Sequence, residues 1–184
     1  MSTISYIKNF IKDRDVAAIT PSSKFLVRRV CQWIDFTQPQ VIVEYGPGTG
    51  VFSEYIMKRM TADSRLIMIE GNANFVQKLR AMSSGDDRVD VVHERAENVA
   101  KVLEQVGETA ADYVLSGIPF SFLDDDTRHE LIQNTRAILK DDGKFLVYQN
   151  YNHMEDPLKQ HFGHVKKGYE ILNIPPMFVY EASK

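Results

Sequence analysis

Residues 41–50 read Val-Ile-Val-Glu-Tyr-Gly-Pro-Gly-Thr-Gly, so that one carboxylate, Glu44, stands just before three glycines at alternate positions. Gly46, Gly48 and Gly50 let the backbone turn tightly and approach a ligand without a Cβ in the way. Val51-Phe52-Ser53-Glu54-Tyr55-Ile56-Met57 then reads as a helix, whose unpaired N–H groups and partial positive charge suit a carboxylate. The spacing excludes two common ligands. A dinucleotide fingerprint begun at Gly46 needs glycine at 51, where Val51 stands, and a phosphate-binding P-loop needs a lysine directly after Gly50. The pattern that remains, E-x-G-x-G-x-G, joins an acid able to attract a cationic amino group to a turn able to admit a ligand.

The elements that must position this turn alternate along the chain. Strand patterns run over Val41–Tyr45, Arg65–Glu70, Arg88–His93, Asp112–Ser116 and Lys144–Gln149. Helical patterns separate them over 51–60, 73–82, 97–106 and 126–139, and Asp141-Asp142-Gly143 reads as a turn into the fifth strand. Alternating βα units predict a mostly parallel sheet with helices on both faces. The end of the chain breaks this rhythm. Tyr169–Asn173 and Met177–Ala182 have strand character around Ile174-Pro175-Pro176, with no room for a crossover helix, so they are expected to pair antiparallel.

The E-x-G-x-G-x-G run resembles motif I of the class I S-adenosylmethionine-dependent methyltransferases. The resemblance implies a Rossmann-like α/β fold with a seven-stranded sheet, mostly parallel and ending in an antiparallel pair. It implies S-adenosylmethionine as cofactor and S-adenosylhomocysteine as product, with Glu44, Tyr45, Gly46, Gly48, Thr49 and Gly50 around the methionine end. Glu70, twenty residues after Gly50, would accept from both ribose hydroxyls, with Gly71 beside it and Asn72 capping the next helix. After strand three, family members often carry an acid that meets the adenine amine. Arg95 holds that position here, a departure, and the Ala96 backbone or the Glu97 carboxylate is left to serve. Ser116 at the end of strand four and Gly117 after it would border the transferable methyl group.

Two subfamilies compete for the acceptor. Ribosomal RNA adenine dimethylases carry Asn-Leu-Pro-Tyr or a close variant after strand four, where the amide holds the adenine amine and the ring stacks on the flipped base. This chain has Gly117-Ile118-Pro119-Phe120, with the ring but without the amide. The better match is to bacterial phospholipid N-methyltransferases, which convert phosphatidylethanolamine to phosphatidylcholine. That resemblance spans nearly the whole chain: Ile19-Thr20-Pro21-Ser22-Ser23, the motif I segment, Ser116–Phe120, and Asn173-Ile174-Pro175-Pro176 with Phe178-Val179-Tyr180. It implies a phospholipid headgroup as substrate, with Tyr6, Phe10, Pro119 and Phe120 near it. Tyr148, Tyr151 and His153, just beyond strand five, are the candidates to hold the amine or relay its proton, and aromatic rings there can also face a methylated ammonium. A small-molecule acceptor, or cofactor binding without catalysis, stay open beside the lipid and RNA readings.

Length and charge bound the rest. At 184 residues the chain suits one domain, divided here into an N-terminal helical segment over 1–36 and a methyltransferase domain over 37–184. The net charge is −3, but residues 1–34 carry +4, which leaves −7 for the remainder. RNA is therefore an unfavoured partner for the main domain, whereas the basic end hints at an anionic one. Ile4, Ile7, Phe10 and Ile11 share one helical face beside Lys8 and Lys12, the pattern of a short helix lying on an anionic membrane. Cys31 is the sole cysteine, which excludes an intramolecular disulfide and fits a reducing cytosol. No transmembrane run or secretory h-region is present, so the expected location is cytoplasmic and peripherally membrane-associated. No metal motif stands out, and His161 and His164 read as loop histidines.

Overall fold

A computed structural model describes residues 22–184. A seven-stranded sheet runs in the order β3-β2-β1-β4-β5-β7-β6. Its strands are β1 (Val41–Tyr45), β2 (Arg65–Glu70), β3 (Val89–His93), β4 (Ala111–Ser116), β5 (Leu139–Gln149), β6 (His164–Glu170) and β7 (Met177–Ser183). The first five are parallel, and β7 pairs antiparallel with both β5 and β6.

Side-chain alternation along the central strands feeds two cores, one on each face. On one face Ile42, Leu115 and Leu146 pack under α1 (Lys24–Cys31), α2 (Val51–Met57) and α3 (Ala73–Met82). On the other, Val43, Val114 and Phe145 pack under α4 (Val99–Gln105), α5 (Asp125–Ile138) and α6 (Glu155–His161). Leu26, Val27, Val30 and Cys31 of α1 are fully or almost fully buried in the first of these cores, so this helix belongs to the body of the sheet. Desolvation pushes the Cys31 thiol well above its ordinary pKa, which makes it an inert packing residue.

Three expectations change. The strand expected over Tyr169–Asn173 lies earlier, at His164–Glu170, because an edge strand carrying Lys166 and Lys167 toward water lacks the apolar alternation that marks a strand. The turn expected at 141–143 is an irregularity inside a longer β5, where the pairing with β4 shifts register between Ala111 and Tyr113. α6 had no sequence signal of its own. It places His161 in its last turn, with His161 Nε2 2.9 Å from His129 Nδ1, while His164 opens β6, so neither histidine is a loop residue.

Candidate active site

β1 and β4 are neighbours although two βα units separate them in sequence, so chain connections leave β1 toward β2 and β4 toward β5. A crevice opens beyond the carboxyl ends of the strands at such a switch point. The glycine turn after β1 and the Gly117–Leu123 loop after β4 form its two lips. Their backbones are anchored to the sheet. The Gly46 N–H donates to the Ile69 carbonyl at 2.9 Å, and the Gly117 N–H donates to the Tyr45 carbonyl at 3.1 Å.

Two buried carboxylates face this turn. Glu44 is 1% exposed and accepts from the Ser53 hydroxyl at 2.6 Å. Desolvation, reinforced by the nearby Glu70 charge and opposed by the Ser53 hydrogen bond, raises its pKa to about 7. A group held at that value ionises when a cation arrives. Glu70, 3% exposed, accepts from the Gly48 N–H at 3.0 Å through one oxygen and from the Asn72 N–H at 2.9 Å through the other. It thereby ties the ends of β1 and β2 together, and each oxygen keeps further acceptor capacity for a ligand hydroxyl. Asn72 caps α3, accepting from the Asn74 and Phe75 N–H groups. Gly50 sits at φ 81°, and a Cβ there would come within 3.0 Å of Met82 and Leu79.

From Glu70 a cleft of about 720 Å³, counted out to its mouth, runs along the strand ends. Ile69, Ala96, Ile118, Leu123 and Leu131 give it apolar walls, and Glu94, Arg95 and Glu97 give it a polar rim. Arg95 and Glu97 form an ion pair. The departure at Arg95 thus leaves the Glu97 carboxylate beside the cleft, engaged by a neighbouring guanidinium. Apolar walls that end in paired polar groups suit a flat heterocycle.

The other side of the switch point is aromatic. The Tyr148 ring stacks on Phe52, with centroids 4.6 Å apart and planes 17° from parallel. Its phenol lies against Gly117 so closely that a Cβ on that glycine would sit 2.3 Å from the hydroxyl oxygen. Tyr151 is exposed beyond β5. Both ring nitrogens of His153 are buried, and burial first, with the Arg128 guanidinium second, lowers its pKa against a small opposing pull from the Tyr151 backbone. The imidazole is therefore neutral near pH 7.

Several sequence expectations shift in place. Tyr45 is fully buried on the opposite face from Glu44, its hydroxyl 3.2 Å from the Thr135 hydroxyl, so its backbone serves the turn and its ring serves the core. Strand alternation makes this unavoidable for consecutive residues. Phe120 is also fully buried, with its ring edge-on to Phe145, and Phe122 lines the cleft instead. Pro119 does line the cleft. Ser116 is buried and accepts from the Ile118 N–H, which steadies the loop. Thr49 is exposed in the turn after β1 and Gly71 just after β2, and Ala96 is buried in the cleft wall. Tyr6 and Phe10, with the amphipathic pattern around them, lie outside the described residues. Two residues were missed. Ser53 orients Glu44, and Gln149 clamps the second lip by accepting from the Phe120 N–H and donating to the Ile118 carbonyl at 2.7 Å. A polar residue at the carboxyl end of a buried parallel strand was the available signal for Gln149.

The model of the methyltransferase small domain family matches residues 17–172. The chain belongs to that family. Ornithine lipid N-methyltransferase of Singulisphaera acidiphila is 28% identical over 172 residues, covering 90% of this chain and 86% of that protein. Among solved structures, the precorrin-6Y C5,15-methyltransferase of Geobacter metallireducens superposes with a TM-score of 0.72 at 16% identity, over 91% of this chain and 92% of that one. The 1,6-didemethyltoxoflavin N1-methyltransferase of Burkholderia thailandensis, solved with S-adenosylhomocysteine, superposes with a TM-score of 0.69 at 12% identity, over 99% and 87%. The chain is a methyltransferase that uses S-adenosylmethionine, and its site fits that cofactor. A buried carboxylate poised to ionise suits the amino group, Glu70 suits the ribose, and the apolar cleft suits the adenine. Among the described residues no cluster of three or more metal-ligating side chains occurs, and no helix is long and apolar enough to cross a membrane.

Proposed function

We propose that the chain methylates the amine of a membrane-lipid headgroup, with phosphatidylethanolamine carried toward phosphatidylcholine as the leading case. The observation that carries this reading is the Tyr148 phenol against Gly117. Where the RNA adenine dimethylases present an amide to a planar base, this chain presents a phenol oxygen and a ring face, which suit a compact aliphatic amine or ammonium. The likeness to an ornithine lipid N-methyltransferase over 90% of the chain supports the same acceptor class.

When bound, S-adenosylmethionine would supply an activated sulfonium methyl to a neutral amine, and S-adenosylhomocysteine would be the leaving group. The protein positions the partners. Glu44 would hold the cofactor's amino end, and Glu70 would hold its ribose. Gly117 leaves room for close approach of the acceptor, since any side chain there would displace Tyr148. An ethanolamine arrives largely protonated at neutral pH, so it must lose a proton before attack. Tyr148 orients the nitrogen, and the proton passes to water at the mouth of the cleft, because both ring nitrogens of His153 are buried away from an incoming amine.

The test is incubation with labelled S-adenosylmethionine and vesicles of phosphatidylethanolamine or of ornithine lipid, followed by separation of the lipids. Label in mono-, di- or trimethylated headgroups supports the reading and counts the steps. Absence of labelled lipid, with cofactor binding intact by calorimetry, moves the acceptor to RNA or a soluble amine. Tyr148→Phe keeps the stacking on Phe52, and its kcat is expected to fall about tenfold with cofactor affinity unchanged. An unchanged kcat removes Tyr148 from the mechanism.

A further inference from the structure

The large hydrophobic side chains exposed among the described residues are Phe25, Phe122, Tyr151, Tyr169, Ile171, Leu172 and Ile174. All seven lie toward the end of the sheet at which the carboxyl ends of the parallel strands emerge. Phe122 follows β4 and Tyr151 follows β5, both beyond the carboxyl ends of parallel strands. The end of β6 and the start of β7 meet at the same end, because Phe178 pairs with Gln149 and Glu170 with Met177. The turn 171–176 therefore projects from the side on which the cofactor cleft opens. α1 begins there too, since the Ser23 N–H donates to Asn173 Oδ1 at 2.8 Å. Scattered surface hydrophobics are ordinary, but their confinement to a single end calls for a partner.

The turn is built with its polar groups inward. Asn173 is 3% exposed, and its amide nitrogen donates to the Pro175 carbonyl at 2.7 Å while its oxygen serves α1. The Leu172 N–H is satisfied by Glu170. Around this buried amide Ile171, Leu172 and Ile174 are 68%, 55% and 77% exposed. Hydrogen bonds thus hold three aliphatic side chains in water, the reverse of how a turn serving solubility would be arranged. Beside them α1 shows its outer face: Lys24, Phe25, Arg28 and Arg29, all exposed, on a helix with no acidic residue. Asp124, Asp125 and Asp126 lie at the start of α5, on the other sheet face. Charge around the turn is therefore mostly basic, with Lys24, Arg28 and Arg29 against Glu170, whose carboxylate the Leu172 N–H engages.

We propose that this turn and the outer face of α1 dock on an anionic lipid bilayer. Ile171, Leu172 and Ile174 enter the interfacial layer, and Lys24 and Arg28 meet the headgroup phosphates. The cleft then faces the membrane with Phe122 and Tyr151 at its mouth, so a headgroup amine reaches Tyr148 while its acyl chains stay in the bilayer. This docking surface rests on the lipid-acceptor reading given above.

The experiment is vesicle co-sedimentation of the full chain, without cofactor, on phosphatidylethanolamine vesicles with and without phosphatidylglycerol. Substituting Ile171→Ser, Leu172→Ser and Ile174→Ser together is expected to weaken partitioning about 30-fold on both compositions. The Lys24→Ala, Arg28→Ala pair is expected to weaken it only where phosphatidylglycerol is present. Both variants should keep wild-type cofactor affinity and wild-type transfer to a short-chain aminolipid dispersed below its micelle concentration. Unchanged sedimentation of the serine variant overturns the proposal, as does a wild-type chain that ignores both vesicles. A wild-type dimer that the serine variant splits, without vesicle binding, assigns the patch to self-association and also overturns it. If the serine variant loses vesicle binding while the wild type methylates no lipid, the docking surface stands and the lipid-acceptor reading fails.

Discussion

Around β1 and β2 the protein buries charge, whereas at the β6–β7 turn it exposes hydrocarbon. Glu44 and Glu70 are nearly inaccessible and answer to hydroxyl and backbone donors, while Ile171, Leu172 and Ile174 stand in water around a buried amide. Each arrangement costs stability if the chain is considered alone. Burial of a carboxylate forfeits solvation, and exposure of aliphatic surface forfeits the hydrophobic gain of folding. The comparison teaches that each region is incomplete without something from outside. The first is suited to a cation and a ribose, and the second to the apolar, anionic surface proposed above. Function is written where the local rules of stability are broken.

Replacing Glu44 tests the buried half most severely. Glu44→Gln keeps the shape and the acceptor for Ser53 but removes the charge proposed to attract the cofactor's amino group. Cofactor affinity is expected to fall about 100-fold by calorimetry. Stability should move the other way. The folded-state pKa of Glu44 is raised from 4.5 to about 7, so its favourable contribution is complete below pH 4.5 and is lost as pH rises through 7. The loss amounts to about 3 kcal/mol. The glutamine variant escapes it, and should resist denaturant better than wild type at pH 8 but no better at pH 4.5. A wild-type advantage at pH 8 would show that Glu44 is ionised and satisfied in the free protein.

The turn itself is the next target. Gly50→Ala forces a side chain onto φ 81° and into Met82 and Leu79, and about 2 kcal/mol of folding stability should be lost in a denaturant titration. The ionisation of Glu44 should also show in wild-type binding. Cofactor affinity should rise about fivefold between pH 6 and pH 7 as Glu44 ionises, with protons released on binding, and the rise should vanish in Glu44→Gln. The smallest effect is expected at the second lip. Gln149→Leu frees the Phe120 N–H and the Ile118 carbonyl, so kcat should drop several-fold while cofactor affinity holds. An affinity loss as large as the kcat loss would mean that the lip serves the cofactor rather than the acceptor.

By itself the sequence determined the strand succession, the antiparallel end and the positions of Glu44 and Glu70, because periodicity and glycine spacing are local properties. Its helix limits were close: 73–82 matches α3, and 126–139 lies one residue from α5. Only the tertiary structure decided which face each side chain takes beyond the strand ends. It sent Tyr45 and Phe120 into the core, brought Phe122 into the cleft, and set Tyr148 against a glycine 31 residues away. It also gathered the seven large hydrophobic side chains exposed among the described residues, from Phe25 to Ile174, toward one end of the sheet. The reason is physical. Backbone propensity and alternation act over a few neighbours, whereas a shared end depends on strand order and on the antiparallel return of β7, which no local stretch encodes.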